Sequence, residues 1–487
     1  MRITRRELLA GMAAWAPLTA YGESVERPPA RAGRVTPPSG FEAIFQRSGL
    51  AQNSGCVLVD LRTGRIVEGH NPDLARPPAS VTKAMTALYA QDKLGNAHQF
   101  ETKLLATGPI NGGTLEGDLF LVGGGDPTLD TDGLNQLARA AKAAGLRRIS
   151  GRFYVVSGAL PLIEAIDPSQ PIQVGYNPAV GGLNLNYNRV YFEWKRQSGQ
   201  YRITMDARSE RVRPRVGCAT MSISRRGAPT YGYEHRGGIE RWTVAQAALG
   251  NGGGRWLPVR DPATYGAEVF QVLAEAQGVS LPTARPAERV PAGTVLATLQ
   301  SDNLRAIQTS MLRYSTNLTA EVLGLSATKA AGGRAGNLRA SAQAMGRWVA
   351  QQSRQSRPNL FNHSGLSDQS RITAQEMGLF LAKQNSQRGL AGIMRDVGLQ
   401  NGRGDGVEVP GVKVFAKSGT LNFTRGLAGY IEKNGQQRYA FAIFSADMAA
   451  RRAAPASEER PAGAGRWRGI AKAQEKALVY RWASALT

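Results

Sequence analysis

Pro77-Pro78-Ala79-Ser80-Val81-Thr82-Lys83 runs directly into the apolar stretch Ala84-Met85-Thr86-Ala87-Leu88-Tyr89-Ala90. Two prolines exclude helix before Ala79, the residues after Ser80 are good helix formers, and Gly95 stands just past Lys93 as a stop signal. The spacing predicts a helix with Ser80 on its first turn. Residues three apart share a helix face, so the Lys83 ammonium lies over the Ser80 hydroxyl. A serine hydroxyl is a poor nucleophile at neutral pH, and a lysine takes its proton only where burial and neighbouring charge depress its pKa. A second cationic group is therefore expected nearby. The helix N-terminus adds a partial positive field and free N–H groups that would stabilise an oxyanion forming beside Ser80.

A Ser-x-x-Lys pair is not selective by itself. Ser326-Ala327-Thr328-Lys329 repeats it at the end of a predicted helix, just before Gly332-Gly333, where a lysine only complements the helix dipole; that copy reads as structural. For Ser80 the plainer alternative is an N-cap serine followed by a surface lysine.

With 487 residues, 42% hydrophobic and 20% charged, the chain is long enough for two or three globular domains with substantial cores. Its start, Met1-Arg2-Ile3-Thr4-Arg5-Arg6-Glu7-Leu8-Leu9 followed by apolar residues to Ala20, has the paired arginines of a twin-arginine export signal, with small residues for cleavage after Gly22. Residues 1–22 are read as that signal and 23–38, rich in Pro and Arg, as a flexible leader, which directs the protein to the periplasm of a bacterium. The net charge of +23 favours polyanionic surroundings. Export turns that preference away from nucleic acid and toward an anionic wall polymer or membrane surface, although the scattered arginines are equally a solvated surface. Cys56 and Cys218 are the only cysteines, and no bridge between them is expected because Cys56 stands in an apolar strand pattern. The four histidines are scattered, with no H-E-x-x-H or Cys-x-x-Cys, so neither a zinc site nor another cofactor is expected.

Along the chain, Gly55–Asp60, a turn at Arg62-Thr63-Gly64 and Arg65–Glu68 read as a β-hairpin. A strand from Thr114 to Val122, the loop Gly123-Gly124-Gly125-Asp126, a helix bearing Leu134, Leu137, Ala138 and Ala141, and a strand at Arg152–Val156 form a β-α-β unit. The glycine loop lacks Gly-Lys-Ser/Thr and G-x-G-x-x-G, so it reads as a turn rather than a phosphate cradle. Residues 170–265 look like a small all-β module, with helix at Gly266–Ala276. Helix is expected again from Ser301 to Leu312 and from Leu318 to Ala330, with Tyr314-Ser315-Thr316-Asn317 as an exposed loop between them. Three strands follow at Val412–Lys417, Gly426–Ile431 and Tyr439–Phe444, the last two joined by an Asn434-Gly435 hairpin turn. Residues 451–464 read as a loose loop, and a closing helix from about Ile470 to Ala485 covers one face of the sheet.

Three polar clusters have complementary chemistry: Ser80-Val81-Thr82-Lys83, Ser315-Thr316-Asn317 and Lys417-Ser418-Gly419-Thr420. Ser80 can attack a carbonyl, Lys83 can accept its proton, and Ser315 can pass that proton to a departing amine. Asn317 can hold Lys83 or a substrate amide, Lys417 at a strand end supplies fixed positive charge, and Ser418 with Thr420 can bind a carboxylate. Gly419 lets substrate backbone lie against the strand edge. In this order the clusters resemble the Ser-x-x-Lys, Ser-x-Asn and Lys-Thr/Ser-Gly motifs of the penicillin-recognising serine enzymes. More narrowly the chain is similar to the low-molecular-mass class C penicillin-binding proteins, the D-Ala-D-Ala carboxypeptidase/endopeptidase family. The supporting stretches are Pro78–Lys83, Leu121-Val122-Gly123-Gly124-Gly125-Asp126-Pro127-Thr128-Leu129, Leu183-Asn184-Leu185-Asn186-Tyr187-Asn188, His363-Ser364-Gly365-Leu366-Ser367 and Ala416–Thr420. Ser301-Asp302-Asn303 also spells Ser-x-Asn. Ser315 is preferred because Asn317 is followed by Leu318-Thr319-Ala320-Glu321, as in the family, while Ser301 or Asp302 makes a plausible helix N-cap.

The resemblance implies an α/β (α+β) fold: a transpeptidase-like domain, 39–103 and 291–487, with a five-stranded antiparallel sheet flanked by helices, and smaller domains inserted at 104–290. The insertion divides into 104–168 (β-α-β), 169–265 (mainly β) and 266–290 (the return). It also implies a serine D-Ala-D-Ala carboxypeptidase and endopeptidase that acts on peptidoglycan stem peptides and binds β-lactams, with the oxyanion between the N–H groups of Ser80 and Thr420. Two positions depart from the pattern: Ser418 replaces the usual Thr, and Ser157-Gly158-Ala159 stands where relatives commonly carry an Asp that reads the stem diamino acid. A serine β-lactamase and a non-catalytic peptidoglycan-binding or sensor protein are the alternatives.

Overall fold

A computed structural model of the chain describes residues 40–401 and 404–485. The expected signal, 1–22, and leader, 23–38, lie outside the described residues. No helix among the described residues is long and apolar enough to cross a membrane.

The central sheet has six strands in the order Arg395–Asp396, Val412–Leu421, Thr424–Lys433, Gln436–Ala446, Ser54–Asp60 and Ile66–His70, every neighbouring pair antiparallel. The sixth strand, beyond the five expected, is the two-residue piece Arg395–Asp396, which pairs only with Ala416 and Phe415. The early hairpin and the late meander thus complete one sheet, with Ser54 opposite Ser445. Asn434 and Gly435 turn the last hairpin with φ of 50° and 77°, the left-handed pair that matches strand twist.

Strand alternation sends side chains into two cores. Val57, Val59, Tyr430, Ala440 and Phe444 meet Leu88, Leu323 and Phe380 of the helical lobe. Cys56, Leu58, Ile431, Phe441 and Ile443 meet Phe45 of helix Phe41–Ser48 and Leu478 and Trp482 of the closing helix. Each large apolar side chain fully buried here stabilises the fold by about 1.5–3 kcal/mol relative to exposure. The closing helix begins at Ala464, earlier than expected, because Trp467 on its first turn packs in a cluster with Phe423 and Leu50. Part of the expected loose loop is a short helix, Met448–Ala453, capped by Asp447. Another helix begins at Pro262 rather than Gly266, since Asp261 accepts from Thr264 N and Pro262 takes a first-turn place with no N–H to satisfy.

Between Ser80 and Ser315 the described residues build a five-stranded sheet, ordered Arg285–Pro286, Phe153–Val156, Leu119–Gly123, Glu101–Ala106 and Thr294–Gln300, and three three-stranded sheets. Helix Thr131–Ala143 joins the parallel strands Leu119–Gly123 and Phe153–Val156. The strand expected over Thr114–Val122 is broken: Thr114–Leu115 pairs in a separate small sheet. Glu101–Ala106 and Thr294–Gln300 are antiparallel neighbours, so the chain leaves and returns side by side. This region has its own core around Leu121, Phe153, Phe192, Trp242 and Phe270. Cys218 is buried there, Cys56 is buried in the central sheet, and both are free.

Candidate active site

Ser80 sits on a single 3-10 turn, Ala79–Val81, that leads into the α-helix Thr82–Leu94, one step earlier than the expected first α-turn. Gly95, with φ of 81°, follows the last helical residue. Residues 82–90 are all buried, so this helix is the spine of its lobe and fixes what it carries. Ala79 adopts a left-handed φ of 46°, a strained state for a residue with a Cβ. Two contacts hold it: Thr82 Oγ1 donates to the Ala79 carbonyl at 2.9 Å, and Gly365 packs so closely on that carbonyl that a Cβ there would collide with it.

Lys83 is fully buried, and its Nζ reaches three oxygens: Ser80 Oγ at 2.8 Å, Asn317 Oδ1 at 2.7 Å and the Ser364 carbonyl at 2.8 Å. The two carbonyl oxygens can only accept, whereas the serine hydroxyl can donate. A neutral amine satisfies all three by donating twice and receiving the Ser80 proton on its lone pair. Burial, and then the charge of Lys417, push the Lys83 pKa well below that of a free lysine, while Glu321 pulls it back part of the way. The Asn317 amide is oriented from its other end, since Nδ2 donates to the Tyr176 carbonyl at 2.8 Å. Of the two roles foreseen for Asn317, holding Lys83 is the one seen.

Ser315 and Asn317 come from a tighter junction than the expected loop. Helix Leu304–Tyr314 ends at Ser315, which is left-handed with φ of 59°, and the next helix, Asn317–Ala330, starts two residues later. Lys417 Nζ donates to Ser315 Oγ at 3.0 Å and to the Ser418 carbonyl at 2.7 Å. Lys417 lies within strand Val412–Leu421 rather than at its end. Burial, with Arg425 and Arg395 close by, pushes its pKa down to about 7. Because Arg395–Asp396 covers Phe415 and Ala416 alone, the strand from Lys417 onward is, among the described residues, a bare edge running beside the Ser80 turn. A Cβ on Gly419 would stand 2.7 Å from the Pro78 carbonyl and 2.8 Å from Ser80 N, so only glycine lets strand and turn approach this closely. Ser418 is exposed and Thr420 half-buried on that edge.

All the expected site residues therefore meet: Ser80 and Lys83 from one helix, Ser315 and Asn317 from a helix junction, and Lys417, Ser418, Gly419 and Thr420 from a sheet edge. The competing Ser-x-Asn lies elsewhere. Ser301 Oγ accepts from Phe100 N at 2.9 Å, and the cap of the following helix is Asn303, which accepts from Ala306 N at 3.0 Å, in place of the expected Ser301 or Asp302. The second Ser-x-x-Lys is structural: Lys329 closes its helix and donates to the Ala159 carbonyl. Among the described residues no group of three or more His, Cys, Asp or Glu could hold a metal ion.

Three participants escaped the sequence reading. Glu321, buried one turn after Asn317, accepts from His363 N at 2.9 Å and Ser364 N at 2.8 Å, and so holds the carbonyl that caps Lys83. Tyr176 acts through a backbone oxygen that no side-chain pattern reveals. Arg425, across from Thr420, donates to its hydroxyl at 2.9 Å; an arginine immediately before the apolar run Gly426–Ile431 was the available signal.

A D-alanyl-D-alanine carboxypeptidase from Actinomadura sp. (strain R39) is 35% identical over 141 residues, 28% of this chain and 26% of that protein, so the match spans about a quarter of the relative's length. The crystal structure of penicillin binding protein 4 (dacB) from Haemophilus influenzae superposes with a TM-score of 0.71 at 20% identity, covering 91% of this chain and 99% of that one. The same protein complexed with a novel β-lactam gives a TM-score of 0.68 at 21% identity, with coverage of 91% and 99%. At these identities the structural likeness is one of fold. The family model runs further, from residue 41 to 463, and the chain belongs to the D-Ala-D-Ala carboxypeptidase 3 (S13) family.

Proposed function

We propose that the chain is a serine-type D-Ala-D-Ala carboxypeptidase, with DD-endopeptidase activity, acting on peptidoglycan stem peptides through an acyl-enzyme on Ser80. The observation that carries this reading is the buried Lys83, held by two acceptor-only oxygens and facing the Ser80 hydroxyl. Ser80 Oγ attacks the penultimate D-Ala carbonyl as its proton passes to Lys83 Nζ. The oxyanion rests between the N–H groups of Ser80 and Thr420. Ser315, held by Lys417, hands a proton to the departing amine, D-Ala leaves, and water hydrolyses the ester. Ser418 and Thr420 bind the substrate carboxylate while Gly419 admits its backbone.

The β-lactam complex of the structurally similar H. influenzae protein supports β-lactam binding here. A β-lactamase would need a base for rapid deacylation. The buried carboxylate whose charge acts on Lys83, Glu321, is occupied by two backbone N–H groups, which favours the peptidase. The catalytic domain is assigned to 39–103 and 291–487 and the insertions to 104–290, with the protein exported to the periplasm by the twin-arginine signal of residues 1–22. Its charge of +23 suits an anionic wall or membrane surface. Ser157, in place of an Asp, weakens recognition of the stem diamino acid.

A fluorescent penicillin tests the reading: stable labelling of Ser80 together with D-Ala release from a pentapeptide is expected. Rapid loss of label would make the protein a β-lactamase, and no labelling would make it a binder. The acylation rate should also be bell-shaped in pH. It rises as Lys83 loses its proton, at a pH well below that of a free lysine, and falls above about 7 as Lys417 loses its charge. A rate that climbs steadily to pH 10 would contradict these assignments.

A further inference from the structure

Away from the strand that carries Lys417, two of the three-stranded sheets built between Ser80 and Ser315 contribute residues to an open cleft of about 570 Å³. One side is the hairpin of Arg189–Gln197 and Gln200–Asp206, which supplies Arg196 and, opposite it, Tyr201. The other side comes from the parallel pair Ala219–Ser224 and Ile239–Ala245. Ser224 lies beside Ala245, so Arg225 and Arg226 leave that pair next to Gln246. Asn251 completes the lining, its carbonyl accepting from Arg196 N at 2.8 Å.

The charge in this cleft is one-sided. Elsewhere the partly buried arginines are matched by acids: Arg208 by Asp206 and Glu193, Arg255 by Glu459, Arg425 by Glu475. Among the described residues none that lines the cleft is acidic, and no carboxylate pairs with Arg196, Arg225 or Arg226. Arg226 is nevertheless held in place, since Nε donates to the Pro229 carbonyl at 2.7 Å and Nη2 to the Thr243 carbonyl at 3.3 Å. Those acceptors are neutral, so they fix the guanidinium and leave its charge uncompensated. Arg196 lies over the Tyr201 ring, 5.9 Å from its centroid, and the ring is pinned in turn by its hydroxyl donating to the Gly250 carbonyl at 2.7 Å. Three like charges gathered on one surface repel one another, and a bound anion turns that repulsion into attraction.

The lining also narrows the chemistry of the anion. Guanidinium forks match carboxylates and phosphates alike. Gln246, Asn251 and the Tyr201 ring add neutral amide and aromatic surface, which suits a ligand whose acids are carried on a peptide and sugar framework. We propose that this cleft is a second, non-catalytic binding site for peptidoglycan, in which Arg196, Arg225 and Arg226 take carboxylates of the stem peptides and tether the enzyme to the polymer. The choice of ligand rests on the peptidoglycan reading of the Ser80 groove and goes beyond it by adding a site that makes no contact with the reacting atoms. A tether raises the effective concentration of a polymeric substrate and does nothing for a small free one.

Co-sedimentation with purified peptidoglycan sacculi tests this, carried out in the S80A background so that the polymer is not digested. R196Q/R225Q/R226Q should weaken sedimentation by at least about tenfold, the loss expected for several charge-assisted contacts. R139Q/R334Q/R347Q removes the same charge from three exposed arginines elsewhere and should stay within about twofold, because scattered exposed charges act weakly and are screened. With Ser80 intact, the cleft variant should release D-Ala from a soluble pentapeptide at the wild-type rate and from sacculi more slowly. Arg226 also ties down two carbonyls, so R196Q/R225Q carries the same comparison should the triple variant unfold. Equal losses in the two triple variants would reduce the effect to net charge, and no loss in the cleft variant would leave the cleft without a part in binding. Sacculi with amidated carboxylates that sediment the protein as well as native ones would exclude the stem acids. Vesicles of anionic phospholipid that lose the cleft variant while sacculi retain it would make this a lipid-phosphate site. Each of these four results overturns the proposal. Cleft-dependent sedimentation from a protein that, with Ser80 intact, releases no D-Ala would uphold the tether and count against the acyl-transfer reading alone.

Discussion

Replacing Lys83 by methionine is expected to lower the rate of penicillin acylation by about 10²–10⁴, the contribution typical of a positioned general base, while the protein still folds. Methionine suits the site because it fills the buried channel between the Ser80 turn and helix Asn317–Ala330 without carrying charge. Its penalty is that Asn317 Oδ1 and the Ser364 carbonyl lose a donor, at about 1–3 kcal/mol for each group left unsatisfied. S80A should abolish labelling altogether and change stability by less than about 1 kcal/mol, since Ser80 is half-buried and, among the described residues, its hydroxyl bonds Lys83 alone. The pair separates chemistry from folding: thermal unfolding should rank K83M below S80A, whereas labelling should leave K83M slow and S80A blank. Wild-type acylation by K83M would mean that another group takes the Ser80 proton.

What was legible in the chain was local. The Ser80 helix announces itself through Pro77 and Pro78 on one side and Gly95 on the other, and the last hairpin through Asn434-Gly435, because these residues restrict the backbone whatever surrounds them. The polar clusters that the structure brings together were equally readable, since a serine-lysine pair, a Ser-x-Asn and a strand-borne lysine are chemically distinctive. Boundaries were less so. Asn303, not Ser301 or Asp302, caps its helix, and all three are plausible caps until the chain's path is known. Lys417 looked terminal because Gly419 follows it, yet the strand continues to Leu421 precisely where a bare edge and close packing on Ser80 favour glycine. Tertiary partners were invisible. Ser54 meets Ser445 across the sheet, the Tyr176 carbonyl meets Asn317, and Glu475 meets Arg425 from the far face, pairings that no local propensity encodes.

Glu321 gives the second large effect, and it acts on fold and chemistry together. Its two carboxylate oxygens each accept one backbone N–H, from His363 and Ser364, an arrangement that suits the ionised form because a protonated acid would turn a donor toward a donor. Burial raises its pKa, while the hydrogen bonds from Ser364 and His363 and the charge of Lys83 oppose the rise. In E321Q one of the two N–H groups faces an amide NH₂ instead of an oxygen, so a loss of about 2–4 kcal/mol in stability is expected in chemical denaturation. The loop that presents the Ser364 carbonyl then loosens, and Lys83 loses one of the two acceptors that aim its lone pair at Ser80. Removing the negative charge also lets the Lys83 pKa fall further, because Glu321 is the group that holds it up. The acid limb of the acylation profile should therefore move to lower pH even as the maximum rate drops. These signs separate positioning from general instability: a merely weakened fold would lower the active fraction at every pH and leave the limb where it was. An unmoved limb in E321Q, with wild-type acylation at its maximum, would strip Glu321 of any part in setting Lys83.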